Sequence, residues 1–168
     1  MISKDIAKAV NAQIAHEQAN SHAYRAVACY FRRLNLHGFT AFFKKQSGEE
    51  TGHAERLLAH LEERGGTVEL QVIPAPKNEW SSPVEAIKAV RDMEKNTSKQ
   101  ITALYELALA KNDHALAVSV QWLVNEQVEE EAWSEELVAL AEQLGDSPAH
   151  LFILDHKWGK KAGEADKD

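Results

Sequence analysis

Glu50 and His53 stand three apart in Glu49-Glu50-Thr51-Gly52-His53, inside a stretch with a helical pattern. Residues i and i+3 share a helix face, so a carboxylate and an imidazole point the same way. The pair interrupts a stripe of core-facing positions: Phe39, Phe43, Gln46, Glu50, His53, Leu57 and Leu61. A charge at that depth is costly unless it is paired or holds a metal. Three more stripes carry the same kind of interruption. Val10, Glu17, Tyr24 and Phe31 recur every seven residues. Glu94 sits among Ile87, Val90, Thr97, Ile101, Leu104 and Ala108. Gln127 and Glu130 sit among Leu116, Val120, Leu123, Leu137 and Leu144. Carboxylates with one imidazole and no thiolate are the ligand chemistry of iron or manganese.

The elements that must position these residues are helices, since glycine and proline are scarce and confined to a few places. The expected helices cover about residues 3–34, 39–64, 83–111, 114–144 and 150–160, and 161 onward reads as a fraying polar tail. Ser3, Ser82-Pro83-Val84-Glu85, Asp113 and Ser147-Pro148 supply start signals. Gly65-Gly66 and Gly145 supply stops. Gly48 and Gly52 lie beside the Glu-x-x-His and each costs about 1 kcal/mol relative to alanine in a helix interior, which points to a close backbone approach there. Residues 65–82 form a crossover with Pro74 and Pro76. Extended, it reaches about 55 Å, and the second helix is about 40 Å long, so it can return along the whole length of a helix. Short connections make the first two and the next two long helices antiparallel hairpins. The fold class is all-α: a four-helix bundle with one long crossover and a short fifth helix, within a single domain.

Depth ties the polar interruptions together. The midpoints of the four long helices fall near residues 18, 51, 96 and 129, and Glu17, Glu50/His53, Glu94 and Gln127/Glu130 each lie close to one. Packed side by side, the helices place these groups in one layer. Four buried carboxylates cannot all stay ionised together without cations. A natural division gives one metal Glu17, Glu50 and His53, and the other Glu50, Glu94 and Glu130, with Glu50 bridging. Two such metals stand about 3.5–4 Å apart. The alternative is a set of buried glutamates satisfied by Tyr24, Gln127 and basic partners. Glu49, Glu126 and Glu129 form a second acidic group, read from the residues alone as either a solvated surface or a further site.

Bulk properties set the remaining bounds. The chain has 168 residues, enough for one substantial core. Its net charge of −7 argues against nucleic acid and is compatible with cations. The single cysteine, Cys29, excludes an intrachain disulfide or a Cys-rich metal site and reads as a small apolar residue in a packed helix. No signal region or membrane-spanning run is visible, so a cytoplasmic location is expected.

These residues carry a resemblance. Glu17, Tyr24, Glu49-Glu50-x-x-His53, Glu94, Trp122 and Glu126-Gln127-x-Glu129-Glu130 resemble the bacterial non-haem ferritins in order, spacing and helix placement over essentially the whole chain. The resemblance implies a ferritin-like bundle and a ferroxidase that oxidises Fe(II) with O2 or H2O2. It implies mineral storage inside a homo-oligomeric shell of 24 subunits. It places the first iron at Glu17, Glu50 and His53. The second lies at Glu50, Glu94 and Glu130, with Gln127 close by, and a third, cavity-side iron at Glu49, Glu126, Glu129 and Glu130. Tyr24 is given either a redox or hydrogen-bonding role, or plain core packing. The fifth helix resembles the element that lines four-fold channels. Haem is not expected. Bacterioferritins carry a haem-ligating Met where this chain has Thr51, and a Glu-x-x-His in the fourth helix where it has Gln127-Val128-Glu129-Glu130. Two other readings are a soluble di-iron or di-manganese oxidase without mineral, and a metal-free structural bundle.

Overall fold

Five helices order the computed structural model, which describes residues 2–145 and 147–164: α1 (Lys4–Arg33), α2 (His37–Glu63), α3 (Pro83–Ala110), α4 (His114–Leu144) and α5 (Pro148–Glu164). Caps start them. The Ser3 hydroxyl accepts from the Ile6 amide, Ser82 from Glu85, and Asp113 from Leu116. α1 packs lengthwise on α2 and α3 on α4, giving two antiparallel hairpins. Every stripe residue named above is buried except Leu144, which is partly so. No described helix is long and apolar enough to cross a membrane.

The core is divided. At one end of the bundle Phe31, Phe39, Phe43, Ile87, Leu137 and Trp158 form an aromatic-rich cluster. At the other, Ile6, Val10, Leu57, Leu61, Leu104 and Leu116 form an aliphatic one. Between the two clusters lie the buried polar residues Glu17, Glu50, His53, Glu94, Gln127 and Glu130. Two apolar blocks of this kind supply the burial that stabilises the fold, and the polar layer between them is free to carry chemistry.

The crossover runs beside α1 and is pinned near both ends of it. Asn11 donates to the Thr67 carbonyl (2.9 Å) and accepts from the Glu69 amide (2.8 Å). Arg33 donates to the Asn78 carbonyl and pairs with Glu79 at 2.8 Å, and Trp80 meets Tyr30 edge-on. Between these anchors Leu70 and Val72 project into solvent, 71% and 94% exposed.

Four expectations are corrected. The helix of Gly48 and Gly52 is continuous, and nothing in the chain lies within 4 Å of a Cβ built at either position. Both glycines face outward, so no close approach within the chain explains them. The close approach is instead at Gly38 and Gly159, where a Cβ on Gly159 would stand 2.8 Å from the Gly38 Cα. There α5 crosses the start of α2, and Asp155 accepts from the Phe39 amide at 2.8 Å, capping a helix whose own N-cap, Leu36, has no capping side chain. That cap is why α2 begins at His37. α5 also begins earlier and runs further than expected, to Glu164, because Lys157 and Lys161 both pair with Glu136 on α4 and lie over the buried Trp158 ring. Residues 165–168 of the expected tail lie outside the described residues. Cys29 is exposed rather than packed.

Open space at Gly48 and Gly52 gives a direct prediction. Gly48→Ala and Gly52→Ala should each stabilise the isolated chain by about 0.5–1 kcal/mol through helix propensity alone. Urea unfolding of the single and double variants measures it. Destabilisation of the isolated chain would contradict the open surface seen here.

Candidate metal centre

The layer is built from same-face spacings on four helices. α1 brings Glu17, α2 brings Glu50 and His53, α3 brings Glu94, and α4 brings Gln127 and Glu130. Glu17 and Glu94 are 0% exposed, and Glu50 is 1% exposed. His53 Nδ1 lies 3.6 Å from Glu50 Oε2 and 4.0 Å from Glu17 Oε2. Those two oxygens are buried and accept no hydrogen bond. Two partnerless carboxylate oxygens facing one imidazole nitrogen are an unfinished arrangement in a protein interior. Ligand atoms of Glu17, Glu50 and His53 all fall within 4.8 Å of one another, as three ligands of one ion require. No other trio of acidic, His or Cys side chains among the described residues does so.

The remaining buried carboxylates are satisfied by neutral donors. Glu94 accepts from the Tyr24 hydroxyl and, at 3.1 Å, from Gln127 Nε2, which also donates to Ser98. Glu130 accepts from Gln46 Nε2 at 3.2 Å on both oxygens and from Trp133 Nε1 at 2.6 Å. Gln13 Nε2 donates to the other oxygen of Glu17 at 2.6 Å. No Lys or Arg among the described residues pairs with Glu17, Glu50, Glu94 or Glu130, so basic partners do not neutralise the layer.

Protons do so instead. Burial, reinforced by the charges of Glu94 and Glu130, pushes the Glu50 carboxyl up to about 8, against the opposing effect of the neighbouring Glu17 carboxyl. Burial and the Glu94 charge lift Glu130 to about 8 as well, while Trp133 opposes the rise. Glu17 and Glu94 are raised, chiefly by burial. Tyr24 is held well above its usual value by burial and then by the Glu94, Glu130 and Glu50 charges. At neutral pH the metal-free layer is therefore largely protonated, and cations entering it must displace protons.

The predicted residues fall into three groups. Glu17, Glu50 and His53 converge. Glu94, Glu130 and Gln127 share the layer, but the Glu50, Glu94 and Glu130 ligand atoms do not all come within 4.8 Å of one another, because Tyr24, Gln127, Gln46 and Trp133 hold Glu94 and Glu130 in hydrogen bonds. Glu49, Glu126 and Glu129 line a surface pocket that Glu130 also borders. Lys45 pairs with Glu49 at 3.3 Å, and the charges of Glu49 and Glu126 act on Glu130. Trp122 meets the His53 ring edge-on at 5.1 Å and is covered by the Arg56 guanidinium at 4.0 Å. The sequence places Gln46 on its stripe without a role and singles out neither Gln13 nor Trp133. The signal was available: Gln13, Gln46 and Trp133 lie four, four and three residues from Glu17, Glu50 and Glu130.

Comparison with known proteins agrees with this fold. The Ferritin-like domain family matches residues 7–144. A bacterial non-heme ferritin of Bacteroides fragilis is 35% identical over 96% of this chain and 100% of its own length. One from Staphylococcus aureus is 32% identical over 96% and 97%. Among solved structures, an open pore ferritin from the hyperthermophilic archaeon Archaeoglobus fulgidus superposes with a TM-score of 0.92 at 35% identity, covering 95% of this chain and 98% of that one. A humanized archaeal ferritin superposes equally well, at 36% identity. With the bundle, the crossover and the buried Glu/His centre already in place, these likenesses establish that the chain belongs to the ferritin family, among the bacterial non-haem ferritins.

Proposed function

We propose that the protein stores iron by oxidising Fe(II) at an intrasubunit di-iron centre and depositing the ferric product inside a hollow homo-oligomeric shell. The observation that carries this reading is the pair of orphaned oxygens, Glu17 Oε2 and Glu50 Oε2, facing His53 Nδ1. In this account the first Fe(II) takes those three residues. The second takes Glu50, Glu94 and Glu130, with Gln127 beside it, once Glu94 and Glu130 turn from their present donors. Each Fe(II) gives up one electron, and O2 or H2O2 accepts two. The protons that the cations displace from the carboxyl groups supply part of what the reduced oxygen takes up. Tyr24, whose hydroxyl donates to Glu94, orients that ligand.

Assembly into a shell, of 24 subunits on the family pattern, is supported by large apolar side chains left in solvent. Val118 and Val128 on α4 and Phe152 and Ile153 on α5 are between 59% and 71% exposed. A cytoplasmic location and the absence of haem belong to the same reading. Gel filtration with iron staining after aerobic Fe(II) addition tests it. Iron and protein should co-elute at the size of a large cage. A small species that oxidises Fe(II) but retains no mineral would favour the alternative, a soluble di-iron or di-manganese oxidase.

The acidic pocket of Glu49, Glu126 and Glu129 is assigned a third, weaker iron site sharing Glu130. Hard oxygen ligands at a solvent-open position favour exchangeable binding. Replacing all three with Ala should leave the first oxidation of two Fe(II) per chain fast. It should change the Fe:O2 stoichiometry or slow recovery between additions. Stoichiometry and recovery identical to wild type would return these residues to a solvated surface.

A further inference from the structure

The His53 ring is held by polar groups on one side only. Its Nδ1 faces Glu17 Oε2 and Glu50 Oε2, at 4.0 and 3.6 Å. A metal-ligating imidazole is ordinarily oriented by a hydrogen bond from its other nitrogen. No described residue of the chain supplies one to His53 Nε2. What meets the ring instead is aromatic. The Trp122 indole of α4 lies 5.1 Å away, with the two planes at 66°. Over the indole lies the Arg56 guanidinium, 4.0 Å from the ring centroid. Arg56 stands one helical turn beyond His53, so these two contacts on the indole come from neighbouring turns of α2.

Packing alone does not account for the choice of tryptophan. Trp122 is partly buried against the aliphatic cluster, and its Nε1 is a buried donor with no acceptor. An unmet donor is a net cost that phenylalanine or leucine would avoid in the same space. What the indole offers over both is the aromatic face that attracts a cation most strongly. Arg56 is exposed, forms no ion pair among the described residues, and lies on that face. The three residues form one chain of contacts, from an exposed cation through an indole to an imidazole of the buried layer.

We propose that Trp122 and Arg56 are positioning residues of the metal centre. The indole fixes the plane of the His53 ring so that Nδ1 faces the two carboxylate oxygens, and the guanidinium holds the indole in place. The inference rests on the assignment of Glu17, Glu50 and His53 to the first ion under Proposed function. Arg56 acts only through Trp122, so its effect vanishes when the indole is gone. Its charge by itself acts in the opposite direction, since a cation near the centre repels an entering metal ion.

Anaerobic Co(II) titration of the intact protein, followed by the visible absorption of the bound ion, reads ligand geometry without turnover. Trp122→Leu should shift the Co(II) bands and weaken binding by about tenfold or more, as the loss of an outer partner does. Arg56→Met keeps an unbranched stem and removes the charge. It should shift the bands in the same direction and weaken binding about two- to fivefold, the range that a cation over an exposed aromatic face supplies. Arg56→Met added to Trp122→Leu should change nothing further. Losses that add in the double variant would separate Arg56 from the indole and overturn the inference. Unchanged or tighter binding by Arg56→Met would overturn it as well. So would a Trp122→Leu protein with a lowered melting temperature but wild-type bands and affinity, which is the signature of packing. If Trp122→Leu does not fold, the sign of the Arg56→Met change decides. If wild-type protein itself binds no Co(II), the metal-centre reading falls and the inference falls with it. Binding by wild type that both single variants leave unaltered removes the inference alone.

Discussion

Glu50→Ala is expected to abolish rapid Fe(II) oxidation while leaving the fold intact. Glu50 is the one carboxylate assigned to both ions, and one of its oxygens is orphaned beside His53 Nδ1. Removing it takes a ligand from each ion at once and breaks the contact through which the two can deliver electrons together. A loss of about 100-fold or more in the initial rate at two Fe(II) per chain is expected, more than the loss of an outer partner produces. The fold should persist, because the apolar clusters on either side of the layer do not include this residue. Removing a buried acid also relieves a desolvation cost, so the metal-free variant should melt no lower than wild type at pH 8. Stopped-flow absorbance and a thermal melt measure the two effects. A variant that oxidised its first two Fe(II) at the wild-type rate would remove Glu50 from the centre.

The metal-free protein should lose stability as pH rises from about 5 to about 8.5, and divalent cations should reverse that loss. Glu50 and Glu130 have folded-state values of about 8 against an ordinary 4.5. A carboxyl whose folded value stands above its unfolded one binds its proton more tightly in the folded state. Its stabilising contribution is complete below pH 4.5, declines through the interval, and is gone above about 8. Glu17, Glu94 and His53 surround Glu50, and the raised Glu17 and Glu94 carboxyls act in the same direction. With two or more groups involved, the expected loss is on the order of a few kcal/mol, or about 10 °C in melting temperature for a chain of this size. Bound cations replace the protons and remove the penalty. They should also release protons on binding at pH 7, measurable by indicator dye. A melting temperature flat from pH 5 to 8.5 in chelator would show that the layer is solvated and not buried as described.

The sequence made the four stripes and their common depth legible because burial leaves a periodic signature. An apolar stripe broken once, near each helix midpoint, survives any uncertainty in crossing angle. It could not show which neighbours satisfy which carboxylate. Whether Glu130 turns toward Glu50 or toward Gln46 and Trp133 depends on side-chain torsions that spacing does not encode. The glycines show the same limit. Gly48 and Gly52 stood out because they lie beside the motif, yet the contact that excludes a side chain is at Gly38 and Gly159, far apart in sequence and adjacent only after α5 folds back on α2. Likewise Asp155, which caps α2 from α5, carries no local signal, since a tertiary cap follows no i-to-i+3 rule. Thr97 appeared in its stripe as one more small core residue, and only the structure sets His16 and Asn20 against it.

The central claim is that an iron ion occupies the space enclosed by Glu17 Oε2, Glu50 Oε2 and His53 Nδ1. The most direct measurement is anomalous diffraction at the iron edge from crystals soaked anaerobically in Fe(II). The account predicts a strong peak among those three atoms. It predicts a second peak about 3.5–4 Å away, with Glu50 between the two and Glu94 and Glu130 turned toward it. Anomalous density confined to the surface acids Glu49, Glu126 and Glu129, with the buried layer empty and its hydrogen bonds unchanged, would contradict it.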